Sequence, residues 1–187
     1  MRLAFLALAA CLVATPSLAD EAIKFPEKLD AKAAGFQSVF TDAGPVYVSG
    51  QPSEQAVRDL KAKGVKTIIN LRTQGEMDNR KQVPFDEAAL TKELGINYVH
   101  IPLGGPDTPY TPAAVEKVAD AIAAADGDVL LHCTVGWRAS HMWAAYLVKH
   151  RGLSEEEAIK QASAINFGGY TPPDGKLPID ALLGKAN

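Results

Sequence analysis

Three short strand-like segments, the first and third of which read as buried, alternate with segments of helical period and constrain the fold of this chain more than any other feature. They are residues 65–71 (with Thr67-Ile68-Ile69 inside), 96–101 and 129–132. A strand covered on both faces reads as a continuous run, because neither side meets water. The segments between them repeat apolar residues every three or four positions. Ser53 can cap a helix carrying Val57 and Leu60, which Gly64 ends. Residues 84–94 form the next, with Leu90 and Leu94 on one face and Gly95 as terminator. Thr111-Pro112 starts another, in which Val115, Val118, Ala119 and Ile122 recur until Asp126-Gly127. A further helix runs from about Arg138 to His150, and Ser154 with Glu157 forms a capping box for one ending near Asn166. Strands alternating with helices make βαβ units. The expected fold is therefore α/β, with a mainly parallel central sheet flanked by helices.

The ends of the pattern are less regular. Residues 36–40 and 46–48 read as short strands around the turn Asp42-Ala43-Gly44-Pro45, and residues 20–35 as a charged lead-in with an amphipathic turn over 23–29. The tail from Phe167 is rich in Gly and Pro and reads as irregular. At the other end, Arg2, the apolar stretch 3–13 and Pro16-Ser17-Leu18-Ala19 have the layout of a secretory leader cleaved after Ala19. The apolar stretch is short for a span. The expectation is a signal peptide over 1–19, a single domain over 20–187, and a periplasmic or secreted protein without stable membrane insertion after cleavage. An uncleaved anchor, or a lipoprotein leader ending at Cys11, is the other reading of this segment.

Cleavage removes Arg2 and no acid, taking the net charge from −3 to −4. A nucleic-acid surface needs clustered positive charge, so no nucleic-acid partner is expected. Cleavage also removes Cys11 and leaves Cys133 as the lone cysteine, so no intramolecular disulfide can form. A lone thiol in an oxidising compartment is buried or used.

Cys133 stands where use is plausible. His132-Cys133-Thr134-Val135-Gly136-Trp137-Arg138 lies between a strand and a helix. Ligands of parallel sheets bind at such junctions. A loop there gathers backbone N–H groups into an anion site, Gly136 permits a tight turn, and the helix dipole and Arg138 favour the reactive thiolate. The planar fork of Arg138 can grip two oxygens of a phosphate or sulfur oxyanion. Cys133 alone would read as a small buried hydrophobe; Gly136 and Arg138 at these offsets turn the reading to nucleophile and oxyanion loop, with Thr134, Val135, Gly136 and Trp137 binding substrate. His132 either orients the loop or sits in the core as a satisfied histidine. Trp137 forms a pocket wall or packs on its helix. Arg72 reads as a surface ion pair rather than a crevice residue. Trp143, Tyr146 and Leu147 read as core. His100, His141 and His150 are too scattered for a metal site, and neither metal nor cofactor is expected.

Four stretches in order, Val46-Tyr47-Val48-Ser49-Gly50-Gln51-Pro52, Thr67-Ile68-Ile69-Asn70-Leu71-Arg72, His100-Ile101-Pro102-Leu103 and the His132-Cys133 loop, resemble the dual-specificity branch of the protein tyrosine phosphatases. The resemblance covers about residues 36–166 and is nearest to the bacterial beta-lactamase-hydrolase-like phosphatase domain. It implies hydrolysis of phosphoesters through a phosphocysteine on Cys133, with Arg138 and the loop amides holding the oxygens. It also implies an acid on the loop after the strand ending at Ile101, where Asp107 is the candidate; an Asp in a polar turn is the alternative. The partner implied is a phosphorylated small molecule or protein. The usual phosphatase loop has five residues between cysteine and arginine, and this chain has four, with Ala139 after the arginine. The shorter loop is similar to that of rhodanese sulfurtransferases. Sulfur transfer, or anion binding with weak catalysis, therefore stands beside phosphatase chemistry.

Overall fold

The structure is a computed structural model that describes residues 22–185; the expected leader lies outside them. Its elements in chain order are β1 (Glu27–Lys28), β2 (Phe40–Asp42), β3 (Val46–Ser49), α1 (Glu54–Ala62), β4 (Val65–Asn70), α2 (Gln74–Asp78), α3 (Glu87–Leu94), β5 (Asn97–His100), α4 (Pro112–Ala123), β6 (Asp128–His132), α5 (Trp137–Arg151), α6 (Glu155–Ile165) and α7 (Pro178–Leu182). The strands form one sheet in the order β1-β2-β3-β6-β4-β5. The first three pair antiparallel, and β3, β6, β4 and β5 run parallel.

Alternation of side chains along each strand divides the core. Val129 and Leu131 of β6 face the same side as Val46, Val48, Ile69 and Leu71, under α4, α5, α6 and α7. Leu130 faces the other side with Ile68 and Val65, under Val57, Leu60 and Leu90 of α1 and α3. This explains the apolar runs Ile68-Ile69 and Val129-Leu130-Leu131: both faces of the central strands are roofed. Fully burying each such side chain contributes about 1.5–3 kcal/mol. Helix α5 is buried from Ala139 to Leu147, because the sheet lies on one side and α6 and α7 on the others.

The helix caps fall on the expected side chains. Ser53, Thr111 and Ser154 each accept from the backbone N–H three residues on. The differences have local causes. Residues 36–40 do not form a strand: Ser38 takes φ +71°, which breaks extension, so pairing starts at Phe40 and Phe36 makes only a bridge to Pro52. The lead-in contains β1, which adds a short antiparallel edge where a turn was expected. The helix expected from residue 84 starts at Glu87 on the cap Asp86. The tail carries α7, which starts on Pro178 and buries Ile179 and Leu182. Helix α2 was not foreseen; a capping box between Thr73 and Glu76 forms it. No helix among the described residues is long and apolar enough to cross a membrane.

Candidate active site

The site grows out of the central strand. β6 ends at His132, and α5 begins at Trp137, so residues 133–136 turn the chain from sheet to helix. Gly136 makes the turn at φ +82°, and a Cβ there would lie 2.3 Å from Val39 Cγ2. The loop's carbonyls are engaged elsewhere. Thr134 O accepts from the Gln51 amide at 2.9 Å, Val135 O from Asn166 Nδ2 at 2.8 Å, and Gly136 O from the Ser140 amide at 2.9 Å. The amides of Thr134, Val135, Trp137 and Arg138 donate no backbone hydrogen bond among the described residues outside the helix ladder. Trp137 and Arg138 are the first helical residues, whose N–H groups have no intrahelical partner. A turn with bound carbonyls and free amides beside a helix N-terminus is an anion site.

Cys133 lies at this turn with 1% of its surface exposed. Arg138 is tied down along one edge. Its Nη1 donates to Leu103 O at 2.8 Å and Glu76 Oε2 at 2.9 Å, and its Nη2 to Glu76 Oε1 at 2.6 Å and Thr134 Oγ1 at 3.0 Å. Nε enters none of these bonds. Burial works against both charges of the pair. Bonds from Arg138, Thr134 and the Thr73 amide outweigh it for Glu76 and hold that carboxyl down at about 2, while Glu76 raises Arg138 above its ordinary value. Helix α2 thus aims Glu76 at Arg138, and Thr134 Oγ1 bridges the two, donating to Glu76 Oε1 at 2.7 Å.

Below the loop lies a buried polar network. His132 Nε2 is 2.9 Å from Glu87 Oε1, and Gln51 Nε2 donates to Glu87 Oε2 at 2.6 Å. Gln51 Oε1 accepts from Arg72 Nη1 at 2.8 Å, and Gln82 Oε1 from Arg72 Nη2 at 3.1 Å. Burial alone would push the Glu87 carboxyl up; His132 and Gln51 bring it below its ordinary value. Arg72 is fully buried, not a surface ion pair; burial lowers its pKa, and two neutral amide oxygens accept hydrogen bonds from it while Glu76 Oε1 stays 3.7 Å from Nε. His132 faces Glu87 and not the cavity, so it supports the loop from beneath. Trp143, Tyr146 and Leu147 are core, as read from sequence.

A cavity of about 490 Å³ opens above Cys133. Thr134, Val135, Trp137 and Arg138 line it, joined by Glu76, Tyr110 and Tyr170, whereas Gly136, also read as substrate-binding, only makes the turn behind it. These three were missed: Glu76 could have been found through its Thr73 capping box, whereas nothing in the sequence marks Tyr110 or Tyr170. Burial pushes the Tyr110 phenol up to about 12, so it keeps its proton at neutral pH. Gly104 and Gly105 line the cavity too, but Asp107 does not. Asp107 is exposed on the turn closed by Thr108 N–H to Gly105 O at 3.1 Å. Among the described residues no group of three or more metal-ligating side chains gathers.

Several solved structures that share this fold are described as phosphatases, and the curated relatives carry a different description. The Beta-lactamase hydrolase-like protein of Xylella fastidiosa (strain Temecula1) is 32% identical over 123 residues, which are 65% of this chain and 28% of that protein. Its namesake in Agrobacterium fabrum is 34% identical over 121 residues, 65% of this chain and 26% of that protein. This chain therefore spans little more than a quarter of the curated relatives it matches. A DUF442 protein of Shewanella putrefaciens CN-32 superposes with TM-score 0.60 at 25% identity, covering 83% of this chain and 95% of the other. TpbA of P. aeruginosa, solved in complex with phosphotyrosine, shares the fold at TM-score 0.57 and 19% identity, covering 87% and 90%. The family model described as "DSP-PTPase phosphatase fused to NAD+ Kinase" matches residues 37–174. That span is well over half of the sequence, and the chain belongs to this dual-specificity-type protein tyrosine phosphatase family.

Proposed function

We propose that this protein hydrolyses phosphate monoesters, of the phosphotyrosine or dual-specificity type, through a phosphocysteine on Cys133. The observation that carries the proposal is the turn at residues 134–138, with carbonyls engaged and amides free, next to the only cysteine of the described residues. The Cys133 thiolate attacks phosphorus as the bond to the ester oxygen breaks. The free amides and Arg138 Nε hold the oxygens of the transferring group, while Glu76 and the Leu103 carbonyl keep the guanidinium from swinging away. An acid gives its proton to the leaving oxygen and then takes one from water, which releases phosphate and restores the thiolate. Asp107 is the acid we propose, carried to the cavity by the turn that Gly104 and Gly105 hinge. Glu76 is unsuited, because a carboxyl held at about 2 has no proton to give near neutrality.

The substrate expected is a phosphorylated small molecule or protein rather than nucleic acid. We also place the protein in the periplasm or outside the cell, on the strength of residues 1–19 alone. The test is a paired assay of the reduced protein with an aryl phosphate, and with thiosulfate plus cyanide, beside inhibition by vanadate. Phosphate release blocked by vanadate supports the reading. Thiosulfate turnover without phosphate release ends it and returns the four-residue loop to sulfur transfer.

A further inference from the structure

The mouth of the cavity holds an aromatic ring that no step of this chemistry uses. Among the described residues, Tyr170 and Phe25 are the large hydrophobic side chains left exposed, and only Tyr170 lines the cavity with Cys133. A ring half in water at a pocket rim has apolar surface still to cover. Tyr170 is also held in place. It meets Trp137 edge to face at 5.2 Å, Trp137 meets His141 the same way at 4.8 Å, and His141 rests on Phe167 at 4.0 Å. Burial lowers His141 to about 4, so this stack is uncharged at neutral pH.

The same segment is fastened to the oxyanion loop. Asn166 Nδ2 donates to Val135 O at 2.8 Å, and the Gly169 amide donates to Asn166 O at 3.1 Å. A Cβ at Gly169 would lie 2.2 Å from Asn166 Oδ1, so a larger residue there would displace the amide that donates to Val135 O. The ring and the loop therefore keep a fixed relation. A cavity of about 490 Å³ holds far more than a phosphoryl group, and Tyr170, Trp137 and Tyr110 wall the remainder.

We propose that Tyr170 is a specificity-determining residue, which packs against a planar aromatic group carried on the ester oxygen while the loop holds the oxyanion. The proposal rests on the oxyanion reading above and adds the residue that selects the leaving group. Phenylphosphonate and methylphosphonate test it, because neither carries an ester bond to hydrolyse. Titration calorimetry of the full chain should show phenylphosphonate binding about twofold to tenfold more tightly, the range an aromatic pair supplies. Tyr170→Ala should erase most of that preference and leave methylphosphonate unchanged, and Tyr170→Phe should keep it. If both ligands bind but Tyr170→Ala retains the preference, the role of the ring is overturned and the oxyanion reading stands. If neither binds the unsubstituted protein, the oxyanion reading fails and the proposal fails with it.

Discussion

Replacing Glu76 by glutamine removes one charge from the hydrogen-bonded group that fixes Arg138. The group comprises the two Arg138 bonds at 2.6 and 2.9 Å and the Thr134 bond at 2.7 Å. The carboxyl stands at about 2 instead of 4.5. A drop of that size is about 3 kcal/mol of extra stabilisation of the ionised form, at ~1.4 kcal/mol per unit. The side chain is 29% exposed, and solvent screens part of this; about 1–2 kcal/mol is the expected net loss at pH 7. The sign fixes where the effect appears. Because the folded pKa is depressed, the stabilisation is complete above about 4.5 and disappears as pH falls through about 2. Urea unfolding of both proteins between pH 2 and 7 measures it. The gap should be widest near neutrality and close in acid. A freed Arg138 also places its guanidinium less well, and kcat/KM should fall about tenfold to a hundredfold. Equal unfolding free energies at pH 7, or parallel curves down to pH 2, would refute the assigned role of the Arg138–Glu76 pair.

Cys133→Ser should abolish turnover yet keep vanadate or phosphate binding, since the hydroxyl fits the site but is a poor nucleophile; substantial activity in an assay of this variant removes Cys133 as nucleophile. Arg138→Lys should lose most activity, because a point charge cannot satisfy Glu76, Thr134 and an oxyanion together; near-normal kinetics would place the oxyanion elsewhere. Asp107→Asn should slow alkyl phosphates more than aryl phosphates, because only a basic leaving oxygen needs the proton. An equal loss on both would make Asp107 structural, and no loss would shift attention to the protonated Tyr110 phenol. Gly136→Ala should destabilise the fold by at least about 1–2 kcal/mol from the φ +82° backbone alone, before the Val39 clash is relieved; a thermal scan showing unchanged Tm would contradict the turn geometry.

The parallel sheet and its helices could be read from sequence because burial on both faces leaves the apolar runs Ile68-Ile69 and Val129-Leu130-Leu131. Caps at Ser53, Thr111 and Ser154 are local chemistry and were equally plain. Failures came where tertiary contacts decide. Ser38 breaks a strand through one unusual backbone angle, and α7 forms because Ile179 and Leu182 find the core beside α5. Arg72 looked like a surface charge because its partners, Gln51 and Gln82, lie 21 and 10 residues away in the chain. The turn that gathers free amides beside Cys133 was legible because Cys133, Gly136 and Arg138 are close in sequence. The outer parts of the site arrive from three separate segments, and of Glu76, Tyr110 and Tyr170 only Glu76 left a local mark, its capping box with Thr73.

The strand order also bears on how the chain assembles. β6 is the last strand in sequence, yet it sits in the middle of the sheet, between β3 and β4. Until residues 128–132 dock, β1–β3 and β4–β5 are two separate ribbons, each with an open edge. Their union needs contacts between residues as far apart in the chain as Ser49 and His132, which is slow because long loops must close before they are rewarded. The unpaired edges are meanwhile open to wrong partners. The same strand carries Cys133 at its end. A chain that has not closed its sheet has no oxyanion loop, so appearance of the site during refolding reports the final docking step and not the earlier collapse of either half.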